Sequence, residues 1–228
     1  MESTPAFDLL EWAISKYGAG FAIATSFQKE GMVIVDMASR ISPGVRVFTL
    51  ETGRLPEETL RMIDMTEARY GLTVERVRPD AAEVERMVAE RGRDLFYESV
   101  ENRKLCCEIR KVRPLSRKLA ELQAWATGLR REQSETRAMV EKAVEVDGRM
   151  RLAPLADWSG AQVDQYIHAH GVPVHPLYAA GYTSIGCGPC TRALLPGEEE
   201  RAGRWWWEDS TRKECGIHFT ADGTVKRA

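Results

Sequence analysis

The sequence predicts an α/β protein built on a parallel sheet flanked by helices, with an irregular C-terminal tail. Three observations carry that prediction. Short apolar runs at 21–26, 45–50 and 73–77 have the length of buried strands. Stretches of helical period at 31–41, 56–70 and 81–91 follow them in turn, and such alternation calls for parallel strands joined by crossover helices. Polar loops at 25–31, 51–55 and 128–137 follow strands, at the carboxyl ends where folds of this kind bind ligands.

The elements follow in order. Residues 7–17 alternate with helical period until Gly18-Ala19-Gly20 breaks the pattern. The helix at 56–70 opens on Pro56, whose missing N–H is harmless in a first turn. Residues 98–122 read as helix, interrupted or bent by Pro114, and 124–127 as a strand. Residues 145–152 form a hairpin around Asp147-Gly148, and Ser159 caps a helix that runs to about His170. The remainder is rich in Gly and Pro. With no repeat, low-complexity stretch or clear linker, a single domain over 1–228 is expected.

The chain has 228 residues, 43% hydrophobic and 29% charged, an ordinary balance for a globular protein with a sizeable core. A net charge of −2 gives no reason to expect nucleic acid or an anionic membrane as partner. Arginines cluster near 110–113, 130–137 and 201–204, a pattern that suits a small anionic ligand. No apolar run approaches the roughly 20 residues of a membrane span, and residues 1–10 contain no basic residue, so no secretory leader is read there. The cytoplasm is the expected compartment, where cysteines stay reduced and serve as ligands or catalysts.

There are five cysteines. Cys106-Cys107 and Cys187-Gly188-Pro189-Cys190 can supply four thiolates to zinc or to an iron–sulfur cluster. Adjacent cysteines on a helix diverge by about 100°, which a wider cluster tolerates better than a single ion; a chance pairing of buried thiols is the bland alternative. Cys215 stands alone in Glu214-Cys215-Gly216-Ile217-His218, as a passive terminal residue or as a nucleophile activated by Lys213 or His218.

Thr25 and Ser26 sit where a phosphate-binding loop would sit, although a hydroxyl-capped helix start explains them equally well. The 128–137 segment offers arginines and hydroxyls to phosphate or sulfate, against the alternative of a solvated helix start. His168, His170 and His175 show no ligand spacing. Trp205-Trp206-Trp207 reads as a loop anchor before a base-stacking platform.

Taken together, the motifs resemble those of the adenylyl-sulfate/phosphoadenylyl-sulfate reductase family, in its assimilatory, iron–sulfur-cluster branch. The resemblance rests on Thr25-Ser26-Phe27-Gln28, Glu51-Thr52-Gly53-Arg54-Leu55, Cys106-Cys107 with Arg110-Lys111, and Thr127-Gly128-Leu129-Arg130-Arg131-Glu132-Gln133-Ser134. It continues through the 181–191 segment, Arg201-Ala202-Gly203-Arg204-Trp205-Trp206 and Glu214-Cys215-Gly216-Ile217-His218. It implies an adenine-nucleotide α-hydrolase-like (PP-loop-like) fold. Cys215 is then the nucleophile that takes the sulfonyl group and releases AMP, and thioredoxin frees sulfite from the S-sulfocysteine.

Cys106, Cys107, Cys187 and Cys190 then hold a [4Fe–4S] cluster, and adenylyl sulfate is the substrate, with the 3′-phosphorylated nucleotide as alternative. By the same resemblance Thr25, Ser26, Lys111, Arg137, Arg201 and Arg204 contact the phosphate–sulfate end. Thr52, Leu55 and Gly128 lie against the nucleotide, and His218 meets the substrate's charged end. A mobile segment at 205–228 carries Cys215, and a homo-oligomer stays open.

Two departures from the pattern stand out. Residues 25–28 lack the glycine-rich loop of related ATP-cleaving enzymes, which disfavours an ATP-dependent thiolation reaction, and Glu51 stands where the family usually has aspartate. No thioredoxin-like stretch follows Cys215, so an external reductant is expected. A nucleotide-binding module with structural zinc is the alternative from another class.

Overall fold

The computed structural model describes residues 1–208 and the backbone of 218–219 and 225–226. The chain forms two compact units. One comprises Met1–Thr49, Glu57–Glu75 and Glu121–Pro176, the other Leu50–Pro56, Arg76–Ala120 and Leu177–Ala228.

A six-stranded sheet is built from β1 (Phe21–Ala24), β2 (Val47–Leu50), β3 (Val74–Val77), β4 (Ala124–Thr127), β5 (Ala143–Val146) and β6 (Arg149–Leu152), in the order β3-β2-β1-β4-β6-β5. β1 runs parallel to β2 and β4, with Phe21 opposite Ala124, and β4 runs parallel to β6. The hairpin expected at 145–152 is present at the edge of the sheet, where β5 is antiparallel to β6. The cause is local: Asp147 (φ 49°) and Gly148 (φ 72°) make a two-residue turn with both φ positive, and such a turn returns the chain antiparallel. Strand order reverses between β1 and β4, which makes their carboxyl ends the topological switch point.

The first unit's helices are α1 (Ala6–Tyr17), α2 (Lys29–Ile41), α3 (Glu57–Tyr70) and α7 (Gly160–His170). α1 buries Ala6, Leu9, Leu10 and Ala13, one stripe at helical spacing. α2 is buried continuously from Gly31 to Ala38, Asp36 included. That carboxylate is acceptable inside because Arg40 (3.0 Å), Tyr166 (2.8 Å) and Tyr70 (3.2 Å) all reach it. Ser159 caps α7 as expected, in a reciprocal capping box with Gln162. Leu9, Ile23, Ile34, Met62, Ala126, Leu152 and Val163 belong to this unit's core.

The second unit contains α4 (Ala81–Arg91), α5 (Val100–Cys107) and α6 (Arg113–Ala120). Between α5 and α6 runs a single π-helical turn, Glu108–Val112. The interruption expected from Pro114 is this turn: helical structure runs on without a gap from Val100 to Ala120, and Arg110, four residues before the proline and the bearer of the carbonyl its ring displaces, lies inside the wide turn. Met87, Leu95, Phe96, Ile109, Cys187, Cys190 and Trp205 form this unit's core. The Gly- and Pro-rich remainder is largely irregular, as read, with short turns at Pro176–Tyr178 and Gly188–Cys190 and a bridge between Thr191 and Arg204. β7 (His218–Phe219) and β8 (Val225–Lys226) pair antiparallel.

Candidate functional site

In the first unit the loop after β1 is a rigid turn. Thr25 is buried, and its hydroxyl accepts from Phe27 N at 3.0 Å. Phe27 adopts a left-handed backbone (φ 58°), a conformation that its fully buried ring compensates. Ser26 is exposed, and its hydroxyl accepts from Gln28 Nε2 at 3.0 Å. Gln28, at the N-cap of α2, makes no side-chain capping bond. The segment after β4 approaches α2 so closely that a Cβ on Gly128 would lie 2.9 Å from Glu30 Cβ and from Gly31 N. Gly128 thus fits because backbone meets backbone there.

Glu30 anchors the following segment. It accepts from Arg130 Nε at 2.9 Å and from Gln133 Nε2 at 3.0 Å, while Arg130 also donates to Glu132 and to Trp158 O, each at 3.2 Å. Arg131 donates to Glu2 and to Val140 O. Two of the arginines read as anion forks are therefore engaged by carboxylates of their own unit. Arg137, half-buried, donates to Gln133 Oε1.

The second unit brings the four distant cysteines to one cavity. Cys107, Cys187 and Cys190 are buried, Cys106 is half-buried, and all four are free. They line about 360 Å³ of empty space, part of it open to solvent, together with Arg54, Arg103, Arg110, Lys111 and Trp205. In a regular helix Cys106 and Arg110, and likewise Cys107 and Lys111, are i,i+4 neighbours, and the four positions share an arc of about 140°. The wide turn at Glu108–Val112 lies within this stretch, and all four residues line the same space. The Gly188–Cys190 turn is held by Gly188 N donating to Arg54 O at 2.8 Å and by Tyr97 Oη donating to Pro189 O at 2.9 Å.

Thr52 links the pieces. Its hydroxyl lies 3.3 Å from Cys187 Sγ and accepts from Arg54 N at 3.2 Å, and its carbonyl accepts from Arg110 at 2.8 Å. Burial works to raise the Cys187 thiol, yet the Lys111 charge, the Thr52 hydroxyl and Arg204 outweigh it and hold the group below its ordinary range. Burial, reinforced by Cys187, pushes Cys190 up to about 12. Burial likewise raises Cys106 against the opposing charge of Arg110.

Arg204 is buried, its guanidinium 4.7 Å from the Trp205 ring centroid and 3.4 Å from Ser184 Oγ. Gly186 packs directly on that guanidinium, where any Cβ would overlap it. The Arg201 carbonyl accepts from Arg204 N at 3.0 Å. Lys111, Leu55 and Arg201 are half-buried, and Thr52 is buried. His218 is described only by its backbone in β7, and Cys215 lies outside the described residues.

Sequence reasoning missed several residues of these sites. Arg54, Arg103 and Trp205 line the thiol cavity, and Glu30 and Gln133 organise the 128–137 segment. Trp205, 1% exposed, is an anchor, as the aromatic triplet was read. Two buried donors beside the thiols, Arg110 Nε and Trp205 Nε1, have no hydrogen-bond partner among the described residues. Four thiols, two unpaired donors and flanking cations can accommodate an anionic, acceptor-rich centre with thiolate ligands.

A sequence profile of the phosphoadenosine phosphosulfate reductase domain matches residues 20–193. The adenosine 5′-phosphosulfate reductase of Burkholderia cepacia is 52% identical over 199 residues, covering 86% of this chain and 80% of that protein. The enzyme of the same name from Allochromatium vinosum is 50% identical, over 86% of this chain and 77% of its own. Among solved structures, a phosphoadenylyl-sulfate reductase from Candida auris in complex with phosphate superposes with a TM-score of 0.70 at 27% identity, over 84% of this chain and 91% of that one. FMN adenylyltransferase from Candida glabrata shares the fold, with a TM-score of 0.54 at 15% identity over 92% and 74% of the two chains.

Proposed function

The chain belongs to the phosphoadenosine phosphosulfate reductase family, and from that membership we propose that it is a thioredoxin-dependent adenylyl-sulfate reductase of sulfate assimilation. The observation that carries the reading is the cysteine-lined, cation-fringed cavity, in a chain half identical to proteins named adenosine 5′-phosphosulfate reductase. Those names favour adenylyl sulfate over its 3′-phosphorylated form as substrate. Both units are taken as one reductase domain, since a single family profile runs through both.

Cys106, Cys107, Cys187 and Cys190 are the residues that hold a [4Fe–4S] cluster. The donor set fits: four thiols, Arg110 Nε and Trp205 Nε1 as unsatisfied buried donors for sulfur acceptors, and the Thr52 hydroxyl 3.3 Å from Cys187 Sγ. When bound, the cluster supplies a fixed charge distribution beside the sulfate pocket. Both electrons of the reaction come from a dithiol partner.

Cys215 is the nucleophile. Its thiolate attacks the sulfonyl sulfur, the S–O bond to the phosphate breaks, and AMP leaves with that electron pair. Lys111, Arg201 and Arg204, with Arg137, Thr25 and Ser26, hold the phosphate–sulfate end and offset the charge that develops on the leaving phosphate. Thr52, Leu55 and Gly128 bound the nucleotide, and His218 contacts its charged end. A thioredoxin thiolate then attacks Cys215 Sγ and expels sulfite. The second thioredoxin thiol resolves the mixed disulfide and regenerates Cys215. The cytoplasm is the proposed compartment; among the described residues no helix is long and apolar enough to cross a membrane.

Intact-mass spectrometry after mixing with adenylyl sulfate alone tests the reading. A gain of one sulfonyl group is expected, removed by thioredoxin and absent in Cys215→Ser. Undiminished turnover by Cys215→Ser overturns the mechanism. A colourless protein holding one equivalent of zinc replaces the cluster with a structural ion.

A further inference from the structure

Glu2 joins the two ends of the segment that follows β4. Its Oε2 accepts from Arg131 Nη2, and its Oε1 accepts from Lys142 N at 2.7 Å. Neighbouring contacts reinforce the closure. Arg131 Nε donates to Val140 O at 2.9 Å, and the buried Lys142 sends Nζ to Thr4 O and to Asp157, each at 2.8 Å. All of these residues belong to the first unit. Partial burial works to raise the Glu2 carboxyl, yet the Lys142 N–H and the Arg131 guanidinium outweigh it and hold the group below its ordinary range. The staple is therefore a charged one at neutral pH.

Between these anchors the chain buries nothing of its own. No residue from Arg131 to Glu141 is buried, and Met139 is 88% exposed. The order of the segment comes from two short turns, Arg131–Gln133 and Glu135–Arg137, and from polar contacts at its ends. A stretch without apolar burial opens locally at small cost, so each polar anchor counts. Glu30 fixes the start of the segment through Arg130 and Gln133, and Glu2 ties that start to the end at Lys142. Arg137 lies between the two, donating to Gln133 Oε1.

We infer that Glu2 is a positioning residue for nucleotide binding: by tying Arg131 to Lys142 it keeps the 131–142 segment, and Arg137 with it, in the conformation that binds. The inference deepens the proposed function and rests on Arg137 contacting the phosphate–sulfate end. Glu2 touches no reacting atom. Its effect falls on affinity and not on turnover. A binding-competent conformation that is populated only in part lowers the apparent affinity by that fraction and leaves the bound complex as it was.

The test compares the wild type with Glu2→Ala, Glu2→Asp, Arg137→Gln and, as a surface-charge control, Glu57→Ala, which removes an exposed pair with Arg61 in the same unit. Three readouts are taken. They are amide hydrogen exchange by segment, the dissociation constant of AMP, which carries no sulfate to transfer, and KM and kcat for adenylyl sulfate with thioredoxin. In Glu2→Ala the AMP constant and KM are expected to rise about 3- to 10-fold with kcat within about two-fold, as for a competent fraction reduced by that factor. Exchange should quicken in peptides covering 132–141 and stay unchanged in β1, β4 and α2. Glu2→Asp, one methylene shorter, should fall between Glu2→Ala and the wild type, and Glu57→Ala should match the wild type. Unchanged nucleotide affinity in Glu2→Ala overturns the inference. So does quickened exchange spread across the sheet, which marks a general structural role, or an equal loss in Glu57→Ala, which marks net charge alone. If Arg137→Gln leaves both constants at their wild-type values, the assignment of Arg137 to the phosphate fails, and this inference with it. Affinity lost in Arg137→Gln but kept in Glu2→Ala sinks this inference alone.

Discussion

Gly128→Ala is the sharpest single perturbation of the first unit. The new Cβ would sit 2.9 Å from Glu30 Cβ, 2.9 Å from Gly31 N and 3.2 Å from Glu30 C. Ordinary carbon contacts lie near 3.5–4.0 Å, so something must move by more than half an ångström. Little can. Glu30 is fixed by Arg130 and Gln133 at 2.9 and 3.0 Å. Gly31 is wedged from the other side, since a Cβ there would lie 2.5 Å from Thr25 Oγ1. An unrelieved overlap of this kind costs about 1–3 kcal/mol, and the usual Gly→Ala gain of about 0.4–1 kcal/mol from the unfolded chain offsets part of it. For a chain of this length, about 2–4 °C of melting temperature corresponds to each kcal/mol, so the mid-range net cost of about 1.3 kcal/mol corresponds to a drop of about 3–5 °C and the upper end to about 10 °C. Gly160→Ala serves as control, because the nearest atom to its Cβ is Arg130 Nη2 at an ordinary 3.8 Å, and a change within about 0.5 kcal/mol is expected there. The assay is a thermal melt followed by circular dichroism. Coincident melts for the two variants refute the claim that Gly128 is dictated by close approach.

Glu30→Ala, which leaves the 7%-exposed Arg130 without its inner partner, is expected to cost about 3 kcal/mol. Glu30→Leu combined with Arg130→Met should recover most of that loss in urea unfolding, and additive costs would contradict a coupled pair. Burial holds His175 below its ordinary value of 6.5, with its Nε2 against Thr59 Oγ1 at 2.9 Å. The unfolded chain therefore binds this proton first, and the stability contribution is full above about pH 6.5 and is lost as pH falls below it. The urea midpoint of His175→Gln should fall less between pH 7.5 and 5.5 than that of the wild type; equal losses would show that His175 is not a source of acid sensitivity.

Much of the fold was legible because its signals are local. The alternation of apolar runs and helical periods, Ser159 as a cap and Asp147-Gly148 as a turn each depend on residues within a few positions of one another. The place of the hairpin in the sheet was not legible from the same kind of information. A two-residue turn already requires an antiparallel partner, but which neighbour β6 would take on its other side is a long-range fact. The interruption of the 98–122 helix was expected at Pro114 because proline is the visible breaker. The interruption takes the form of a π-helical turn over Glu108–Val112, which contains the carbonyl four residues before that proline.

The amino-acid sequence by itself determined the α/β class, the grouping of Cys106, Cys107, Cys187 and Cys190 as a set apart from Cys215, and the family. Residue identity and spacing are enough for these. Only the tertiary structure decided how the charges are spent. Arg130 is taken up by Glu30, one hundred positions away, and Arg103 by Glu208, 105 positions away, while Arg110 Nε and Trp205 Nε1, in residues that line the thiol cavity, have no hydrogen-bond partner among the described residues. The reason is that an ion pair depends on distance in space and on the water excluded around it. Neither quantity is written in the order of residues along the chain.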